Sequence, residues 1–167
     1  MKSNLALIGM PGAGKSTVGI ILAKMLAKGF VDTDLLIQQN CGRSLQEILD
    51  SEGYSALRRA EEEEILRLNV VDHIIATGGS AVYSAAAMTH LATASTIIFL
   101  QVDFDEIVRR IHNFDTRGIA RSATQSFREL YEERQILYRR YAQLTIDCAG
   151  LNQEAIVAKI ATAYAQQ

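Results

Sequence analysis

The chain has 167 residues, 49% hydrophobic and 22% charged, with 17 basic side chains against 19 acidic ones. That length and apolar fraction predict a single domain over residues 1–167, with about 70% of the unfolded surface buried on folding, and exclude intrinsic disorder. A formal charge of −2 gives no overall attraction to nucleic acid or an anionic membrane. Of the 17 basic residues 12 are arginine, whose planar fork suits carboxylate and phosphate, so anionic small molecules are the expected partners.

Cys41 and Cys148 are too few for a disulfide framework, and with the scattered His73, His90 and His112 they make no zinc-ligand spacing. The apolar start is interrupted between Gly9 and Ser16, so neither a signal peptide nor a membrane span is expected, and the expected setting is a reducing cytoplasm.

Asn4–Ile8 is a short apolar run stopped by glycine, which reads as a buried strand. Residues 18–28 carry apolar side chains at helical spacing and end at Gly29; Phe30 and Val31 open a second short strand. Ser44-Leu45-Gln46-Glu47 has the form of a capping box, predicting a short helix to about Ser51. A helix is expected over 54–69, strands over His73–Ala76 and 96–102, and a helix capped by Asp103-Phe104-Asp105-Glu106. Residues 113–123 read as a loop. A second capping box, Ser126-Phe127-Arg128-Glu129, sits in a helix reaching about Tyr141, and residues 144–146 and 152–164 close the chain as strand and helix. Apolar strands alternating with helices specify an α/β fold whose parallel sheet is covered on both faces.

Gly9-Met10-Pro11-Gly12-Ala13-Gly14-Lys15-Ser16 matches G-x-x-x-x-G-K-[ST], with a strand before it, a helix after it, and Thr17 extending it. The glycines let backbone N–H groups turn inward around phosphates at the positive end of a helix. Lys15 reaches the β- and γ-phosphates, and Ser16 offers its hydroxyl to Mg²⁺. Gly12, Ala13, Gly14, Lys15, Ser16 and Thr17 are therefore the expected nucleotide-binding set. The guanine-reading N-K-x-D is absent from the sequence, and Asp50-Ser51-Glu52-Gly53, which spells D-x-x-G, follows a helix instead of a strand and reads as coincidence. The chain is too short for the paired domains of transport ATPases, which leaves a small-molecule kinase. Asp32 and Asp34, two apart at the end of the second strand, point the same way. One suits Mg²⁺ and the other a proton from an acceptor hydroxyl; equally, both suit the N-terminus of a following helix.

These motifs, followed by Glu52-Gly53 with Leu57-Arg58 and Glu61, Ala76-Thr77-Gly78-Gly79, Arg110, Arg117, and Glu133-Arg134 with Leu137-Tyr138, come in an order that resembles the shikimate kinase family, over residues 4 to 160. The resemblance implies a three-layer αβα sandwich with a five-stranded parallel sheet in order 2-3-1-4-5, like nucleoside monophosphate kinases, a substrate-binding segment at about 33–61 and a lid at about 112–124. It implies ATP and Mg²⁺, with Ser16 and Asp32 toward the metal, Lys15, Asp34 and Arg117 as catalytic residues, and Arg117 closing over the transferring phosphoryl group. Asp34 would contact shikimate hydroxyls, Arg58 and Arg134 would clamp its carboxylate, Gly78, Gly79 and Ser80 would line the acceptor, and Arg110 would stack on adenine. A monomer in the cytoplasm is expected.

Plainer roles are weighed beside these. Arg58 with Glu62 and Arg59 with Glu63 are spaced for surface i,i+4 pairs; Arg139 and Arg140 read as surface residues, and Tyr54, Tyr83 and Tyr138 as packing. The chain also departs from the family pattern: Ser80 stands where a third glycine is usual, Leu57 where phenylalanine is. Arg117-Gly118-Ile119-Ala120 replaces Arg-Pro-Leu-Leu and reads as a softer lid, and prolines are missing after Arg134 and near Leu151-Asn152. A related kinase for another hydroxy-acid such as gluconate, and a non-catalytic nucleotide-binding regulator, are the alternatives these departures keep open.

Overall fold

The computed structural model describes residues 2–111 and 118–166. Strands β1 (Asn4–Ile8), β2 (Gly29–Asp32), β3 (His73–Ala76), β4 (Ser95–Gln101) and β5 (Leu144–Asp147) form one parallel sheet in the order β2-β3-β1-β4-β5. The helices are α1 (Lys15–Leu26), α2 (Thr33–Cys41), α3 (Leu45–Glu52), α4 (Tyr54–Arg67), α5 (Ala85–Ala94), α6 (Phe104–Arg110), α7 (Phe127–Tyr141) and α8 (Gln153–Ala165). They lie on both sides of the sheet, α1 packed on α8, and α5 and α7 on β4. This is the layered α/β architecture that the alternation of strands and helices predicts, with the strand order that the family resemblance implies.

The central strands explain the layering. All five residues of β1 and the first six of β4 are buried, so both of their faces need a cover, and the apolar runs supply no polar face to leave in water. Leu5 sits between Ile74 of β3 and Thr96 of β4. β1 leads through α1 back to β2, whereas β3 leads through α5 to β4. The neighbouring carboxyl ends of β1 and β3 therefore open a crevice, which is where ligands bind in open parallel sheets.

One helix, α5, has no counterpart among the expected elements, and α2 is the helix that one reading of the aspartate pair anticipates. α2 begins directly at the end of β2, and α5 is a small-residue helix whose N-terminus Ser84 caps by accepting the Ala87 N–H. Neither carries a polar-apolar stripe strong enough to announce itself from spacing. α1 starts at Lys15, three residues before its apolar periodicity, because Gly14 in the left-handed region (φ 94) ends the loop there. Asp50–Gly53, the D-x-x-G match, is simply the end of α3 and its cap. No helix of the described residues is long and apolar enough to cross a membrane.

Candidate active site

The phosphate loop links β1 to α1. Gly12 (φ 84) and Gly14 (φ 94) hold backbone conformations that side chains avoid. The buried Lys15 turns its ammonium back over the loop, where Nζ donates to the carbonyls of Gly9 (2.7 Å) and Met10 (2.9 Å). Ser16 and Thr17 are exposed at the helix N-terminus.

Asp32 caps the following helix with one oxygen and leaves the other beside the phosphate loop. Its Oδ1 caps α2, accepting the N–H groups of Asp34 (3.0 Å) and Leu35 (3.4 Å). Its Oδ2 accepts the Ser16 hydroxyl at 2.5 Å, joining the end of β2 to the phosphate loop. Asp34, one residue into α2, points toward the end of β3. A Cβ built on Gly78 would stand 2.6 Å from Asp34 Oδ1 and closer still to Glu61 Oε1. Glycine at 78 is thus demanded by the protein's own carboxylates as well as by any acceptor. Gly79 is equally tight: a Cβ there would meet Pro11 Cδ at 2.7 Å and Arg134 Nη1 at 2.8 Å.

Between loop and carboxylates lies a cavity of about 160 Å³ whose walls include Lys15, Asp34, Glu61, Ser80, Ile119 and Arg134. Arg134, on α7, is only 1% exposed and donates from Nη2 to the carbonyl of Ala120 at 2.8 Å. The Tyr138 hydroxyl, one turn further along α7, donates to the Gly79 carbonyl at 2.6 Å, and its ring stacks on Phe99 of β4. That pair anchors α7 over the end of β3.

Arg58, on α4, borders a groove of about 520 Å³ with Tyr54, Gln125 and Glu133 among its other walls. Its guanidinium carbon lies 3.6 Å from the Tyr83 ring centroid, and that of Arg134 lies 5.5 Å from the same centroid. Tyr83, read from the sequence as packing, is where the two arginines converge. The expected pairs of Arg58 with Glu62 and Arg59 with Glu63 are not among the ion pairs of the described residues; Glu63 and Glu64 lie near Arg67 instead, at 3.5 and 3.8 Å. Leu57 is buried with Ile37, Ile48 and Ala120 in a small satellite core and is not a wall of the cavity.

On the other side of the phosphate loop, Arg110 accompanies Gly12, Leu151 and Asn152 around a cavity of about 350 Å³. Its Nε donates to Glu106 (2.7 Å) and its Nη1 to the Gly12 carbonyl (3.4 Å), which sets the guanidinium beside the loop. Arg117 and the first part of the lid segment, with His112, lie outside the described residues. The remainder packs down: Gly118, at φ 67, donates its N–H to Gln46 Oε1 (2.8 Å), and a Cβ there would strike Leu45 Cβ at 2.6 Å. What the sequence reads as a softer turn is, at this residue, a docked one.

Glu61 is the titratable group the sequence places in the site without revealing its state. Burial first, and then the charge of Asp34, push its carboxyl well above the usual carboxylate range, against the opposing pull of Arg134, the Ser80 N–H and Lys15. No spacing rule signals this, because the desolvation comes from α2, α7 and the end of β3 closing over α4. Among the described residues no group of three or more His, Cys, Asp and Glu could hold a metal by itself. The oxygens of Ser16 and Asp32 do suit Mg²⁺, which takes one or two protein oxygens together with substrate phosphates.

The site and fold have close counterparts. The family model described as Shikimate kinase matches residues 11–165. Shikimate kinase of Paracidovorax citrulli is 40% identical over 164 residues, covering 95% of this chain and 90% of that protein. Shikimate kinase of Mycobacterium avium is 38% identical over 161 residues, covering 94% and 90%. Among solved structures, shikimate kinase from Acinetobacter baumannii in complex with shikimate superposes with a TM-score of 0.90 at 28% identity, covering 98% of this chain and 93% of that one. The phosphate loop, the paired aspartates and the buried arginine of α7 thus sit on a fold shared almost end to end with these enzymes, and the chain belongs to the shikimate kinase family.

Proposed function

We propose that this chain transfers the γ-phosphoryl group of ATP to a hydroxyl of shikimate, giving shikimate 3-phosphate and ADP. One observation carries the reading beyond family membership: Lys15 of the phosphate loop, the Asp34 carboxylate and the buried Arg134 guanidinium border a single cavity. Phosphoryl transfer asks chiefly for positioning and charge stabilisation, and this set supplies both.

Gly12 to Thr17 cradle the phosphates, with Lys15 leaving its loop carbonyls for the β- and γ-oxygens. Arg110 takes the adenine side. Mg²⁺, held by Ser16 and Asp32 with the phosphates, would neutralise phosphate charge. Asp34 accepts the acceptor's proton as its oxygen bonds to phosphorus and the bond to the β-phosphate oxygen breaks. Arg134, with Arg58, receives the acceptor carboxylate; Gly78, Gly79 and Ser80 border the ring; Arg117 closes over the transferring group. A monomer in a reducing cytoplasm is the setting this reading carries, with Cys41 and Cys148 both free thiols.

ADP release coupled to a spectroscopic reaction, with and without shikimate, tests the proposal. Asp34→Asn is expected to lower turnover by about 10²- to 10⁴-fold, with ATP affinity by calorimetry within about threefold. Turnover on a sugar acid such as gluconate but not on shikimate would keep the kinase and move the acceptor, an outcome favoured by one observation, the Ser80 side chain in the cavity wall. ATP binding with no turnover on either acid would leave a nucleotide-binding regulator.

A further inference from the structure

Two arginines meant for one carboxylate face a physical problem: their charges repel, and any acidic neighbour recruited to steady them competes with the substrate. Arg58 has no ion pair among the described residues, and its Nε is buried without a hydrogen-bond partner. Its guanidinium instead lies face-on to Tyr83, 3.6 Å from the ring centroid, with Tyr54 at 5.1 Å. The negative face of an aromatic ring attracts a guanidinium without neutralising it, and so leaves its donors and its charge for an anion.

Tyr83 is itself fixed from two directions. Its N–H donates to the Ser80 carbonyl at 3.1 Å, which ties it by a single 3₁₀ turn (Ala81–Tyr83) to the Gly78–Ser80 loop. Its hydroxyl donates to Glu133, the residue before Arg134 on α7, and Glu133 also accepts Gln125 Nε2 at 3.2 Å. The ring is thereby held between the loop after β3, the start of α4 that carries Arg58, and the turn of α7 that carries Arg134. Burial, and then the bond to Glu133, raise the phenol above its ordinary range, so it stays a neutral donor.

We propose that Tyr83 is a positioning residue for the acceptor carboxylate: its ring holds Arg58, without an ion pair, near Arg134, and its hydroxyl fixes the ring to α7. This rests on the reading of Arg58 and Arg134 as carboxylate ligands. Because the ring acts through a charge, its loss should be felt by an acid and not by the corresponding ester.

The test compares shikimate with its methyl ester in steady-state assays of wild type, Y83F and Y83L. Y83L is expected to raise KM for shikimate roughly threefold to thirtyfold, with kcat within about twofold and KM for the ester within about twofold. Y83F, which keeps the ring, should recover most of the affinity. Y83M serves as the ring-free variant if Y83L does not fold. A second readout needs no substrate: in ¹⁵N-arginine-labelled protein, the Nε–H signal of Arg58, assigned with R58K, should be displaced by the ring in wild type and Y83F and should lose that displacement in Y83L. An unmoved Arg58 signal, an equal KM rise for acid and ester, or a fall confined to kcat would overturn the proposal. A wild type inert toward shikimate would overturn the acceptor reading instead, and the Arg58 signal would then decide whether the ring holds the arginine.

Discussion

Replacing Glu61 by glutamine should remove a pH dependence from the stability of the whole domain. Glu61 is 4% exposed, its Oε2 is buried without a hydrogen-bond partner, and it shares its surroundings with Asp34. In the unfolded chain its carboxyl titrates near 4.5; in the fold, desolvation and the Asp34 charge hold its proton to higher pH. Between those two values the folded state binds up to one proton more than the unfolded state. The stability this contributes is fully present below the unfolded value and is lost as pH rises through the folded one, with a limiting slope of about 1.4 kcal/mol per pH unit. Glutamine has nearly the same shape and no proton to lose. Wild-type minus E61Q unfolding free energy should therefore fall by about 1–3 kcal/mol from pH 5.5 to 7.5. Urea unfolding followed by circular dichroism, at several pH values and with matched m-values, measures it. A difference that stays flat or rises with pH would refute the reasoning and mean that Glu61 is ionised against Arg134 throughout.

Two further outcomes follow from contacts that reach the site from outside it. Tyr138→Phe deletes the hydroxyl that donates to the Gly79 carbonyl at 2.6 Å and should cost about 1–2 kcal/mol in urea unfolding, because a half-buried acceptor loses its partner; a cost below about 0.5 kcal/mol would mean that water replaces it. Gly118→Pro removes an N–H that Gln46 accepts and demands a negative φ where the chain has +67. It should raise the acceptor KM several-fold and cost about 1–3 kcal/mol in unfolding free energy, and an unchanged KM would show that this contact does not shape the acceptor cavity.

The parts of the site that could be read from the chain are those whose chemistry is contiguous. The phosphate-loop motif is nine consecutive residues running from the end of a strand into the first turn of a helix, so its conformation and its ligand class are local properties. Asp32 was readable as a cap or as a metal-side oxygen; in the structure one oxygen caps α2 and the other accepts the Ser16 hydroxyl, a contact that spacing along the chain does not report. Alternating apolar runs and helices were enough for the sheet and its layers, while α5 escaped because a short helix apolar nearly all round has no stripe to detect.

What the sequence by itself determined is the class of fold, the phosphate loop and the set of charged groups available to a kinase, since each depends on residues a few places apart. That Arg134 is buried against the cavity, that Arg58 rests on Tyr83, that Gly118 docks on Gln46 and that Glu61 holds its proton were decided only in three dimensions. Arg58 and Tyr83 are carried by different elements, as are Glu61 and Asp34, and they meet because the ends of β2 and β3 and the turns of α4 and α7 pack together. Burial and Coulomb interaction depend on distance through the folded protein, and distance along the chain does not report it.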